Sequence, residues 1–311
     1  MADYAIVSEH LSRSFQAIKA VDDLSLSVPK GTVFGFLGAN GAGKTTTIHL
    51  LLGLLEPTAG SAQVLGFDTR KQGDSIREHT GSLLEFNGLY ERMSAHDNLA
   101  FYGRIYHMSR LEREARIKEL LTHLDLWDRR NDKIGTWSRG MKQKLALARV
   151  LLHRPELVFL DEPTAGLDPM AAATLNRDLV RLVKQEGMTV FLNTHNLADA
   201  EKYCDQVGVI RKGRLMAVGN PDELRMKLSD PQIEVVGSNF NAHLVMLLHQ
   251  QAGIIDVERH ANRLVLRLRD ARDATAYINL IVQEGGIVDE VRRTHSSLED
   301  VFMNLMENTA C

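Results

Sequence analysis

The sequence predicts an α/β fold in two parts: a sheet covered by helices over residues 1–225, and a small α+β unit over residues 226–311. Two observations carry the first part. Short apolar runs alternate with helical patterns, which builds a parallel or mixed sheet with helices on its faces. A glycine-rich turn, Gly38-Ala39-Asn40-Gly41-Ala42-Gly43-Lys44-Thr45, stands between one such run and a helical stretch. The second part rests on the order βαββαβ after a change of texture near 227–231, the order of a ferredoxin-like sandwich.

Strands are predicted at Val33–Leu37, 157–160, 189–193 and Gln206–Arg211, all runs rich in Val, Leu, Ile or Phe. A helix follows the glycine-rich turn at 46–55. Between 91 and 130 the pattern becomes helical and charged, with apolar positions three to four apart at Leu99, Tyr102, Ile105 and Tyr106. This segment belongs to a helical subdomain of about residues 86–150 on one side of the sheet. A further helix occupies 142–152. Beyond 226 come strand 232–237, helix 240–252, strands 254–259 and 263–269, helix 272–284, strand 287–293 and a last helix at 297–307. On that last helix Leu298, Val301, Phe302 and Leu305 share one face.

The 311 residues are 44% hydrophobic and 25% charged, the balance of a globular protein with a full core. Lys and Arg total 37 against 40 Asp and Glu, a formal net charge of -3. From Met226 onward there are 8 basic and 12 acidic residues, and the front part holds the other 29 and 28. Neither part carries the cationic excess that gripping nucleic acid requires, so no nucleic-acid partner is expected. Two cysteines, Cys204 and Cys311, exclude a disulfide scaffold and a four-cysteine metal site. The longest uncharged apolar run, 45–55, is about half of a bilayer span. With no hydrophobic signal core near the start, the expectation is a soluble, cytoplasmic protein.

The glycine-rich turn matches G-x-x-x-x-G-K-[ST]. Its glycines let successive backbone N–H groups turn inward around phosphate oxygens, and the helix start adds partial positive charge. Lys44 is expected to bridge β- and γ-phosphates, and the Thr45 hydroxyl to ligate Mg²⁺. Gly38, Asn40, Gly41, Ala42, Gly43 and Thr46 complete the cradle. Residues 157–160 then lead into Asp161-Glu162. Two acids ending a strand by themselves mark a solvated loop. Behind a phosphate cradle they read as a Mg²⁺ carboxylate, Asp161, and a general base for water, Glu162. His195 closes the next apolar strand, where it can donate to a γ-phosphate.

Taken in order, these residues resemble the ATP-binding cassette (ABC) ATPases over about residues 4–225. Trp137-Ser138-Arg139-Gly140-Met141 stands where that family has its LSGGQ signature, and Ala165-Gly166-Leu167-Asp168 where it has its D-loop. Phe15 occupies the position of the aromatic residue against adenine, and Glu85 that of the Q-loop glutamine. The resemblance implies the P-loop ABC cassette fold, ATP and Mg²⁺ as ligands, and a homodimer. In that dimer Ser138, Gly140 and Asp168 close over ATP held by the second copy. Three departures stand out, one of them Met141 in place of the signature glutamine. Arg139 replaces a glycine: either it blocks a left-handed backbone, or, as favoured here, it is an ordinary first-turn helical residue. Glu85 adds a negative charge that can still ligate Mg²⁺.

The 94 positions between Lys44 and Ser138 are too few for the coiled coils of chromosome-structure relatives, and one cradle excludes tandem cassettes. The expectation is an ATP-hydrolysing subunit that drives export through a separate multi-span membrane permease, peripheral at the inner face of the membrane. Residues 226–311, ending near Ser296-Ser297-Leu298-Glu299-Asp300-Val301-Phe302, resemble the tails of exporter cassettes paired with ABC-2-type membrane subunits, near the daunorubicin-resistance type. Their role is read as dimer support or ligand sensing. The alternative function is a nucleotide-gated regulatory module with little hydrolysis; a soluble small-molecule kinase leaves 137–141 and 165–168 unexplained.

Overall fold

The computed structural model describes residues 3–84, 88–228, 230–270, 274–295, 299, 301 and 302. The chain divides into two compact units, Met1–Pro221 and Asp222–Cys311. In chain order the first begins with β1 (Tyr4–Phe15), β2 (Ile18–Pro29), β3 (Val33–Leu37), α1 (Lys44–Leu51), β4 (Ala59–Val64), β5 (Phe67–Asp68), α2 (Gly73–His79) and β6 (Thr80–Leu83). Helices α3 (Ala95–Ile105), α4 (Arg110–His123) and α5 (Arg139–Leu151) follow. The unit then continues through β7 (Leu157–Asp161), α6 (Pro169–Glu186), β8 (Thr189–Thr194), α7 (Leu197–Tyr203), β9 (Gln206–Arg211) and β10 (Arg214–Gly219).

These strands form an antiparallel sheet, β2-β1-β4-β5, and a six-stranded sheet, β10-β9-β3-β8-β7-β6. In the larger sheet every pair is parallel except β10 with β9. A parallel sheet is covered on both faces, which explains why β3 and β8 are buried at every position. The Phe191 ring lies 5.5, 5.2 and 5.7 Å from those of Phe34, Phe36 and Phe159, joining β3, β8 and β7 side to side. Ile48, Leu50 and Leu51 of α1 share one core with these rings and with Ile6, Leu24 and Val28 of the antiparallel sheet.

Parallel pairing also places the carboxyl ends of β3, β7 and β8 on one edge. Leu37 is in register with Thr194 and Asp161 with Asn193. This is the edge at which open α/β sheets receive ligands.

The α/β class expected from the sequence is the class adopted, with differences in detail. Helix α1 starts two residues earlier than 46 and stops at Leu51 rather than 55. Gly53 there takes φ 64 and the Leu54 N–H turns back to the His49 carbonyl at 2.9 Å. Helix α5 starts at Arg139 rather than 142 because Ser138 caps it. On α3, Leu99 is buried but Ile105 is exposed, so the expected apolar stripe stops short of its end.

The second unit begins as α8 (Pro221–Leu228) leads into β11 (Pro231–Ser238). Then come α9 (Ala242–His249), β12 (Ile254–His260), β13 (Arg263–Leu268), α10 (Ala274–Gln283) and β14 (Ile287–His295). Its antiparallel sheet has the order β12-β13-β11-β14, the arrangement of a ferredoxin-like sandwich. The core between sheet and helices holds Val235, Leu244, Leu248, Leu264, Leu266 and Ile281. Of the helix expected at 297–307, residues 299, 301 and 302 are helical and Val301 is buried; the rest lie outside the described residues.

Candidate active site

Where β3 ends, the chain turns into α1 around a cavity of about 210 Å³. Its lining includes Asn40, Gly41, Gly43, Lys44, Thr45, Thr46, Asp161 and Glu162. Gly43 holds φ 110, and a Cβ there would come within 2.3 Å of the Ala20 carbonyl, so only glycine lets the two backbones pass. The first helical bond runs from the Thr47 N–H to the Gly43 carbonyl at 2.9 Å. The amides of Lys44, Thr45 and Thr46 therefore precede it without an intrahelical acceptor, the electropositive arrangement that holds anions at helix starts. Ala42 is buried, its carbonyl accepting the Gly213 N–H at 2.9 Å, which anchors the loop to the β9–β10 turn.

Lys44 is only 7% exposed, and its ammonium lies 3.9 Å from Glu162 Oε1. It donates to the Gly38 carbonyl at 2.7 Å and more weakly to that of Ala39 at 3.4 Å. Burial holds its pKa below the ordinary lysine value, and the Glu162 and Asp161 carboxylates oppose that shift. An anion entering the cavity would favour the charged ammonium further.

The Thr45 hydroxyl donates to Asp161 Oδ2 at 2.7 Å, and Asn193, buried on β8, donates to Oδ1 at 3.2 Å. One hydroxyl and one carboxylate are the small protein share that Mg²⁺ takes when phosphates and water complete its octahedron. No cluster of three or more His, Cys, Asp or Glu side chains fit to hold a metal occurs among the described residues. The donor set fits Mg²⁺ bound together with a polyphosphate.

Glu162 takes φ 50, a left-handed backbone that costs a non-glycine residue roughly 1 kcal/mol or more and concentrates at functional sites. Its N–H donates to the Asn193 carbonyl at 3.0 Å. Oε2 lies 2.8 Å from His195 Nδ1, while Oε1 is buried without a hydrogen-bond partner. A carboxylate held by an imidazole on one oxygen, with the other oxygen unspent, is equipped to take a proton from water.

Ser138, Gly140 and Asp168 are not among the residues lining this cavity. Ser138 is exposed at the start of α5, its hydroxyl accepting the Met141 N–H at 3.3 Å. Arg139 is the first helical residue, so its replacement of glycine needs no left-handed backbone. Asp168 caps α6 by accepting the Ala171 N–H at 2.9 Å. A Cβ on Gly140 would meet that of Ala171 at 3.6 Å, so the two helix starts lie side by side. Phe15, at the end of β1, is 42% exposed with the Arg13 guanidinium 4.7 Å over its ring; Ala20, not Phe15, lines the cavity. Glu85 lies outside the described residues.

Sequence reasoning missed Ala20, whose backbone constrains Gly43, and Asn193, which steadies Asp161. A signal for Asn193 was present: an amide at the end of an otherwise apolar buried strand, in line with a carboxylate on the strand beside it.

The family described as ABC transporter matches residues 21–165, and that described as ATP-binding protein DrrA1-3-like, C-terminal domain, matches residues 219–306. The bacitracin transport ATP-binding protein BcrA of Bacillus licheniformis is 35% identical over 302 residues, spanning 97% of this chain and 97% of its own. The daunorubicin resistance ATP-binding protein DrrA3 of Streptomyces coeruleorubidus is 36% identical over 309 residues, 98% of this chain and 96% of its own. Among solved structures, cbiO1 from Clostridium perfringens, part of the ABC transporter complex cbiONQ, aligns with a TM-score of 0.68 at 28% identity. That alignment covers 72% of this chain and 92% of cbiO1.

Proposed function

Since this chain belongs to the ATP-binding proteins of the ABC transporter family, ATPases whose hydrolysis is coupled to transport, we propose that it powers export by closing on ATP with a second copy of itself. The observation that carries this reading is the separation of the site into two parts. Lys44, Thr45, Asp161 and Glu162 line one cavity, whereas Ser138 and Asp168 head two adjacent helices outside it. A helix start led by a serine is an anion site, and a second copy brings such a start to the terminal phosphate.

Within one copy, Lys44 and the amides of α1 hold the β- and γ-phosphates. Thr45 and Asp161 would hold Mg²⁺, with Glu85 a further candidate ligand, and the bound ion would supply charge neutralisation at the phosphate oxygens. Glu162 accepts the proton of the attacking water, and His195 orients Glu162 and reaches toward the γ-phosphate. Phe15 supplies a face on which adenine stacks. The force passes to a separate membrane permease through the helical subdomain, a role supported by exposed Tyr90, Ile105 and Leu111. Among the described residues no helix is long and apolar enough to cross a membrane, which fits a subunit peripheral to its permease. Export as the direction draws support from relatives named for daunorubicin resistance.

The test is the Glu162→Gln protein with ATP and Mg²⁺, followed by light scattering and phosphate release. The reading expects a stable ATP-dependent dimer and turnover lowered by at least roughly a hundredfold, the size of a lost general base. Turnover equal to that of the unaltered chain contradicts the assignment of Glu162. Lys44→Ala should abolish ATP binding, and full retention of binding contradicts the cradle.

A further inference from the structure

Among the described residues the largest fully buried side chain is a charged one, Arg116, on α4. Its guanidinium forks onto Glu186, with Nη1 donating to Oε1 at 2.7 Å and Nη2 to Oε2 at 2.8 Å. Nη2 also donates to the Leu151 carbonyl at 2.8 Å. Leu151 is the last residue of α5 and Glu186 the last of α6. One cation thus sits at two helix carboxyl ends, where unpaired carbonyls and the negative pole of each helix favour it.

The same two helices begin at Ser138 and Asp168. Near those beginnings they touch through Gly140 and Ala171, and Lys144 of α5 pairs with Asp178 of α6 at 3.3 Å. The pair is therefore tied at its start, along its length and at its end. By helix geometry α5 spans about 20 Å and α6 about 27 Å, so the Arg116 end is the far end of a long lever and sets the angle at which the two helices meet near Ser138 and Asp168.

We propose that Arg116 is a positioning residue: by clamping the ends of α5 and α6 to α4, it makes Ser138 and Asp168 one rigid face offered to the nucleotide of the second copy. A planar fork suits this role better than an apolar contact. It fixes an angle, whereas a buried ion pair adds little net stability over well-packed apolar groups. The proposal rests on the two-copy reading above.

The experiment uses the full chain with Glu162→Gln, carrying either Arg116→Lys, which keeps the charge and loses the fork, or the milder Glu186→Gln. Spin labels at Thr136→Cys and Met170→Cys, with Cys311→Ser and with Cys204 buried, report the distance between the two helix starts. The expected result is unchanged ATP binding by the monomer and a broadened distance distribution. ATP-driven dimerisation should weaken by roughly tenfold or more, as ångström-scale misplacement produces. A distance distribution as narrow as in the Glu162→Gln parent overturns the proposal, whatever happens to the melting temperature. A parent that fails to dimerise on ATP overturns the two-copy reading instead, while the distance still decides whether Arg116 fixes the pair.

Discussion

Gly43 and Gly41 share a left-handed backbone, with φ 110 and 77, yet their surroundings differ. A methyl on Gly43 collides with the Ala20 carbonyl, whereas one on Gly41 meets nothing within 4 Å. Gly43→Ala is expected to cost stability by about 1–3 kcal/mol and to abolish measurable ATP binding, while Gly41→Ala retains the fold. Calorimetric titration with ATP checks both; equal affinities would show that the close passage by Ala20 does not shape the cradle. His153 offers a second prediction at this scale. Its ring stacks on Tyr106 at 3.8 Å, Nε2 lies 3.2 Å from the Thr80 carbonyl, and Nδ1 is buried without a partner. Burial lowers its pKa to about 4, against the opposing bond to Thr80. Below about 6.5 the unfolded chain takes up a proton that the folded chain refuses, so stability falls as the pH drops toward 4 and levels off beneath that. The loss attributable to this one ring is roughly 3 kcal/mol. Denaturant melts at pH 7 and pH 5 should converge in His153→Gln, and an unaltered pH slope in that variant refutes the assignment.

At the scale of elements, a serine that heads a helix serves two ends, and substitution separates them. Aspartate caps a helix as well as serine, but its charge repels phosphate. Ser138→Asp should therefore melt where the unaltered chain does, whereas Ser138→Ala loses about 1 kcal/mol of capping. In the Glu162→Gln background, Ser138→Asp should bind ATP and remain monomeric; dimerisation undiminished by the added charge removes Ser138 from the second half of the site. How far such elements were legible follows from how local their signals are. The cradle, the strand ending in Asp161 and the strand ending near His195 each carry their pattern within about ten residues, and parallel pairing brought them to one edge. The β1–β2 hairpin did not show, because its register shifts at several places, including Ser8 to Leu11, where His10 holds φ 50. Such shifts destroy the period-two alternation by which a strand is recognised. The adjacency of Gly140 and Ala171, and the clamp from Arg116 to Glu186 across 70 positions, are products of packing that no local pattern encodes.

At the scale of the whole molecule, the described residues include a core shared by both sheets of the first unit and another enclosed by the β12-β13-β11-β14 sheet and its helices. All the residues of the phosphate cavity belong to the first unit. A ligand that binds only the folded state stabilises the unit that holds it by RT ln(1 + [L]/Kd), about 2.7 kcal/mol at a hundredfold excess over Kd. For a unit of this size that corresponds to a rise of roughly 5–10 °C. Scanning calorimetry of the full chain with Glu162→Gln, which prevents consumption of ATP, should show two transitions. Adding ATP and Mg²⁺ should move one of them, and Lys44→Ala should cancel the movement while leaving the other transition where it was. If both transitions rise together, the two cores unfold as one cooperative body. The smaller unit would then be energetically coupled to the nucleotide, which favours ligand sensing over dimer support as the reading of residues 226–311.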